Sequence, residues 1–201
     1  MSEHTQIAVV GAGLSGLLAA LTLSHAERGP GRRVTLIDAG KIARMPKDGR
    51  VTALTPAAMR MFARLGVDDL APTPMTAMRV GEGKADTPWQ FELPDRGDEP
   101  LAYNVENEVL RAALLSALER RPVTWHEGVR VDAVDEDGLA TLSLSNGNTI
   151  TADLIIAADG RNSALRRMAG LAVTRHDFEQ HALVTTITHA EPHDGIALQR
   201  F

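Results

Sequence analysis

The chain has 201 residues, 44% of them hydrophobic and 23% charged, with 21 basic against 26 acidic side chains for a formal net charge of −5. That composition excludes a disordered tail, and the acidic balance argues against a nucleic-acid binder, which concentrates basic residues in patches. Zero cysteines remove disulfides, thiolate metal sites and cysteine nucleophiles together.

The first apolar run, Ile7-Ala8-Val9-Val10, is rich in β-branched residues and stops at Gly11, as a buried parallel strand does. Leu14, Leu17, Leu18 and Leu21 then recur at three- and four-residue spacing, predicting a helix that runs to Gly29-Pro30-Gly31. Val34-Thr35-Leu36-Ile37-Asp38 follows as a second strand with an acid at its C-terminal end, which completes a βαβ unit. From Thr55 to Gly66 a helix is bounded by a Thr-Pro start and a glycine stop. Residues 71–101 carry five prolines between short alternating stretches and read as an inserted antiparallel segment. Glu106 to Arg120 returns to helical periodicity, with Val123-Thr124-Trp125-His126 as a strand behind it. Residues 129–134, 140–144 and 149–152 alternate in period two around Asp137-Gly138 and Asn146-Gly147, predicting a three-stranded meander. Leu154 to Ala158 is a buried strand running into Asp159-Gly160 and a short helix, and His181–Thr188 alternates as a further strand.

Gly11-Ala12-Gly13-Leu14-Ser15-Gly16 fits G-x-G-x-x-G between a predicted strand and a predicted helix, the context that gives this pattern its meaning. Gly11 serves the tight turn, Gly13 the close approach of a pyrophosphate to backbone, and Gly16 the packing of helix on strand. The helix N-terminus offers unpaired N–H groups to phosphate. Asp38, 27 residues after Gly11, is placed to accept ribose hydroxyls and to repel a 2′-phosphate. A dinucleotide site follows; the motif by itself leaves FAD and NAD both open.

Two further segments, Asp48-Gly49-Arg50-Val51-Thr52-Ala53-Leu54 and Asp153 to Arg166 with Asp159-Gly160 at its centre, make the chain resemble the FAD-dependent aromatic monooxygenases. With His189, Pro192-His193 and Gln199-Arg200-Phe201 near the end, the resemblance is to the ubiquinone-biosynthesis hydroxylases in particular. It implies an α/β fold: a Rossmann-like FAD-binding domain with a β-meander insertion, residues 1–70 and 102–171, plus the first part of an α+β substrate domain, residues 71–101 and 172–201. It implies FAD as cofactor, NAD(P)H as transient electron donor, and O₂ and a small aromatic substrate, a prenylated phenol in this branch. Arg50 then faces the flavin cofactor, a guanidinium fork being suited to phosphate or flavin carbonyl oxygens. The Asp159-Gly160 segment serves FAD and nicotinamide, and the Val131 backbone faces the adenine. Glu108 stands where many members carry arginine, so Arg111, one helical step on, is the candidate phosphate-pairing cation.

Each reading has a plain structural counterpart. Asp159 also suits the cap of the helix after it, Arg50 a surface position, Val131 an ordinary strand residue, and the histidines packing or surface roles. No side chain is nominated as a catalytic acid or base, because the oxygen chemistry belongs to the flavin. Members of this family run to about twice the present length and carry a Gly-Asp-Ala segment that supports the flavin ring, which these 201 residues do not contain. The expectation is therefore an N-terminal portion that binds FAD weakly and completes its work with a C-terminal half or other ubiquinone-biosynthesis proteins. The alternative is a nucleotide-binding module or inactive remnant without redox turnover. No nucleic-acid partner is expected. The expected location is the cytoplasm, with peripheral contact at the inner membrane: the start does not read as a signal peptide, and no apolar run approaches the ~20 residues of a membrane span.

Overall fold

The computed structural model describes residues 2–25, 32–41, 49–81, 89–92 and 99–201. In chain order the elements are β1 (Ser2–Val10), α1 (Leu14–Ser24), β2 (Val34–Asp38), β3 (Val51–Leu54), α2 (Pro56–Leu65), β4 (Thr73–Met75), β5 (Ala77–Gly81) and β6 (Trp89–Glu92). They continue with β7 (Ala102–Glu106), α3 (Asn107–Glu119), β8 (Val123–Glu127), β9 (Val131–Asp135), β10 (Ala140–Leu144), β11 (Thr149–Ala157), α4 (Ala164–Met168) and β12 (Ile196–Arg200). The chain divides into two compact units, residues 1–47 with 111–182 and residues 48–110 with 183–201. This division groups β3, α2 and β7 with the second unit, whereas the sequence boundaries at 70 and 102 had them with the first.

The first unit is built on a six-stranded sheet of order β8-β2-β1-β11-β10-β9. β8, β2, β1 and β11 are parallel; β10 and β9 are antiparallel. Val34 to Ile37 are buried at every position, as a parallel strand covered on both faces must be. Leu17, Ala20 and Leu21 of α1, with Leu114, Ala117 and Leu118 of α3, are excluded from solvent, the burial their helical spacing predicts. A second apolar cluster includes Ala8, Val10, Ile37, Leu142, Ile150 and Leu165. The buried Thr5 hydroxyl donates to the Arg33 carbonyl at 3.0 Å. His126 on β8 meets the Glu3 carboxylate of β1 at 3.0 Å, reaching across β2.

The second unit holds two three-stranded sheets, β12-β5-β6 and β3-β7-β4. Thr55 caps α2 by accepting the Ala58 N–H at 3.2 Å, and Gly66, at φ 73°, turns the chain out of it through a left-handed residue. Phe62 and Leu65 give this helix its buried face.

The meander strands form, but its third strand and the one after it are one: β11 pairs with β10 through Thr149–Ala152 and with β1 along its length. β1 likewise starts five residues before the predicted Ile7, since Ser2 to Thr5 find partners in Thr149 to Ala152. His181–Thr188 forms no strand; Leu183 is 94% and Ile187 73% exposed, and the alternation there has no partner strand among the described residues. The turn at Gly29-Pro30-Gly31 and Asp48 lie outside the described residues.

Candidate functional site

β1 ends at Val10, and the chain turns sharply at Gly11, whose φ of 103° is strained for any side chain. The turn is tied to the strands beside it: Gly11 N–H donates to the Ile37 carbonyl and Ala158 N–H to the Val10 carbonyl, each at 2.7 Å. Two glycines are required by contact. A Cβ on Gly11 would lie 2.3 Å from the Ala158 carbonyl oxygen, and one on Gly16 would lie 1.8 Å from that of Gly11. Gly13 is different in kind: a Cβ there meets nothing within 4 Å. Gly13 is the N-cap of α1 and provides no side-chain acceptor, and the first turn holds no acid. The N–H groups at this helix start are therefore left to whatever occupies the open side of Gly13.

Asp38 closes the turn from the end of β2. Its Oδ2 accepts the Ala12 N–H at 2.6 Å and its Oδ1 the Gly40 N–H at 2.7 Å. Arg111, from α3, donates through Nη1 to the Ala12 carbonyl at 2.5 Å. Burial pulls the Arg111 pKa below its ordinary value, and the Asp38 charge works against that fall.

Beside the turn lies a cavity of about 410 Å³, within the ordinary range for ligand pockets. Gly11, Gly13, Asp38, Val131, Asp159 and Gly160 line it together, although they come from four separate stretches of sequence. Val10, Ile37 and Leu165 give it an apolar floor continuous with the second cluster. Of the remaining candidates, Ala12 is buried in the turn and Gly16 in α1, while Leu14 and Ser15 open that helix, Ser15 exposed. Arg50 lies in the other unit, exposed, with its carbonyl accepting the Asn107 N–H at 3.0 Å. Arg130 and Asn162 also line the cavity. Asn162 belongs to the Asp-Gly segment already quoted, but no pattern in the sequence singles out Arg130.

Asp159 both lines the cavity and caps α4. Its Oδ2 accepts the Ala164 and Leu165 N–H groups at 2.6 and 3.1 Å, and Ser163 accepts the Arg166 N–H at 3.0 Å. Asp159 Oδ1 is buried and receives no hydrogen bond from the described residues. Burial pushes the Asp159 pKa up, but the hydrogen bonds from Ser163, Leu165 and Ala164 outweigh it and the net direction is down. A carboxylate whose folded pKa lies below its unfolded value of ~4 stabilises fully above that pH and loses the contribution as pH falls through the folded value. The stability gap between the wild type and Asp159→Asn is therefore expected to be full near neutrality and to narrow as pH falls below the ordinary carboxylate value of ~4, as read by urea unfolding across that range. A gap that does not change with pH would show that the charge is not what stabilises α4.

The turn, the bare helix start, the acid at the end of β2 and an apolar floor suit the ADP portion of a dinucleotide. Among the described residues, no group of three or more His, Asp or Glu side chains could hold a metal ion, and no helix is long and apolar enough to cross a membrane.

Comparison with known proteins agrees with this geometry. Residues 4–196 match the protein family described as FAD binding domain. The ubiquinone hydroxylase UbiL of Rhodospirillum rubrum is 33% identical over 97% of this chain and 46% of its own length. The 3-demethoxyubiquinol 3-hydroxylase of Escherichia coli is 33% identical over 92% of this chain and 49% of its own. The chain thus spans about half the length of the curated relatives it matches. Among solved structures, PqsL of Pseudomonas aeruginosa superposes over 88% of this chain and 48% of its own with a TM-score of 0.71 at 21% identity, a likeness of fold. The p-nitrophenol 4-monooxygenase PnpA of Pseudomonas putida gives 0.70 at 23% identity, over 84% and 44%.

Proposed function

Because this chain belongs to the FAD binding domain family, we propose that it is the ADP-holding portion of a flavin-dependent aromatic-ring hydroxylase of the ubiquinone-biosynthesis type. The observation that carries this reading is the single cavity lined by Gly11, Gly13, Asp38, Val131, Asp159 and Gly160. The open face of Gly13 and the start of α1 receive the pyrophosphate, and the free lone pairs of the Asp38 carboxylate take ribose hydroxyls. Val131 flanks the adenine, and Val10 and Ile37 exclude water beneath it. Arg50 is assigned to the flavin cofactor on the resemblance of its segment alone, a guanidinium fork being suited to phosphate or flavin carbonyl oxygens. When bound, FAD supplies the redox chemistry: electrons from a reduced nicotinamide reduce O₂, one oxygen atom entering an electron-rich ring and the other leaving as water. The relatives named as a ubiquinone hydroxylase and a 3-demethoxyubiquinol 3-hydroxylase support a phenol ring as substrate; a prenyl chain on it and peripheral contact with a membrane belong to the same proposal.

The second reading is a nucleotide-binding module without turnover, and one titration addresses both. The 201-residue chain is expected to bind FAD, to release it to excess ADP, and to retain it against the same excess of FMN, because every contact named in the cavity suits the ADP half. Binding is read by flavin fluorescence and turnover by phenol-dependent oxidation of reduced nicotinamide. Displacement by FMN as readily as by ADP would sink the cavity assignment. Binding without turnover favours the second reading for this chain by itself.

A further inference from the structure

Ala12 is gripped on both sides. The N–H of its preceding peptide donates to Asp38 at 2.6 Å, and the carbonyl of its following peptide accepts from Arg111 at 2.5 Å. The partners lie 26 and 99 residues away in sequence, one at the end of β2 and the other on α3. Ala12 is itself fully buried, so neither peptide has water as an alternative partner on that side. No peptide bond in the described chain is cis. In a trans peptide the N–H points opposite to the carbonyl. By holding the Ala12 carbonyl, Arg111 therefore fixes the direction of the Gly13 N–H on the other edge of the same peptide, and Gly13 lines the cavity.

We propose that Arg111 is a positioning residue for the cofactor's pyrophosphate. It orients and polarises the Ala12–Gly13 peptide so that the Gly13 N–H is presented to phosphate, and it is not itself a phosphate ligand. A cation on the carbonyl strengthens the N–H at the far edge as a donor, the cooperativity of chained hydrogen bonds in a poorly solvated site. The neighbouring Asp38 charge offsets that of Arg111, which weakens any direct long-range pull of the guanidinium on phosphate. This differs from the role the sequence suggests for Arg111, a cation standing in for the arginine replaced by Glu108. The inference rests on the reading of the cavity as an ADP site, but its structural half can be measured with no ligand present.

The experiment compares wild type with Arg111→Met, Arg111→Gln and Arg111→Lys. Amide NMR and hydrogen exchange are recorded on the ligand-free chain, and ADP affinity is measured by calorimetry. In Arg111→Met the Ala12 and Gly13 amides are expected to shift and exchange faster while the Val9 amide stays as in wild type, and ADP affinity is expected to fall about tenfold. The Gln and Lys variants, which keep a donor, should recover amide protection and affinity in step, and they carry the test if Arg111→Met does not fold. A fall in ADP affinity with unchanged Ala12 and Gly13 amides would make Arg111 a direct ligand and overturn the proposal, as would altered amides with unchanged affinity. Failure of wild type to bind ADP, with the amide response intact, would instead remove the cavity assignment and leave the grip on Ala12 standing.

Discussion

Gly16→Ala is expected to cost the nucleotide-binding unit about 4 kcal/mol or more, whereas Gly13→Ala, three residues earlier, costs within about 1 kcal/mol. The new Cβ at residue 16 would stand 1.8 Å from the Gly11 carbonyl oxygen and 3.3 Å from the Ala158 Cβ. Neither neighbour can yield: Gly11 is tied to Ile37 through its N–H, and Ala158 to Val10. Relief requires α1 to lift from β1, uncovering Leu17, Ala20 and Leu21, all fully buried. Against a total stability of ~5–15 kcal/mol this approaches the threshold of unfolding. Residue 13 has open space and an ordinary φ of −68°, so alanine there costs only the poorer N-cap. Its methyl group instead occupies the approach to the helix start, and FAD affinity is expected to fall at least about tenfold with stability nearly intact. Denaturant unfolding and flavin titration of the two variants check this. A Gly16→Ala protein as stable as wild type would mean that helix and strand do not pack as described.

Asp38→Ala is expected to lower stability by about 3 kcal/mol and FAD affinity by at least about thirtyfold, with Asp38→Asn nearly as damaging. Both carboxylate oxygens accept backbone N–H groups, one from each side of the β2 end. Alanine leaves both donors to find water in a partly buried turn, at ~1.5–3 kcal/mol for each charge-assisted bond before solvent compensation. Asparagine is no isostere here. It has one oxygen for two donors, so whichever way the amide is turned, its NH₂ faces either the Ala12 or the Gly40 N–H. The affinity loss comes from the ribose acceptor and from the released Ala12 peptide together. Asp38→Glu keeps the charge but moves it by one methylene, and should recover affinity less than stability. An Asp38→Asn protein equal to wild type in both measurements would refute the two-donor account.

Local features were legible where a few consecutive residues determine the backbone. Thr55-Pro56 and Gly66 mark α2 to within a residue, and Asn146-Gly147 and Asp137-Gly138 mark turns of the meander. The glycine turn was readable for the same reason, Gly11 and Gly16 each answering a constraint within a few residues or against one adjacent strand. Asp159 was legible as both cavity residue and cap, and the structure has it as both at once. By contrast, the alternation in His181–Thr188 matches a strand as well as that in β10 does, yet only β10 has neighbours to bond with. Period-two patterning states that a segment can form one face of a sheet; a partner decides whether it does.

Resemblance to FAD-binding proteins aside, the sequence by itself determined that a strand, a glycine turn and a helix follow one another at the start and that an acid closes the second strand. Those properties reside in short-range sterics and in the periods of helix and strand. Only the tertiary structure decided that β11 is continuous, that Gly11, Val131 and Asp159 share one cavity, and that Arg111 grips the Ala12 carbonyl from 99 residues away. Such contacts depend on which strands become neighbours and in what register. That is settled by burying Leu36, Ile37, Leu142 and Ile150 simultaneously, a requirement on the whole chain that no local window of sequence contains.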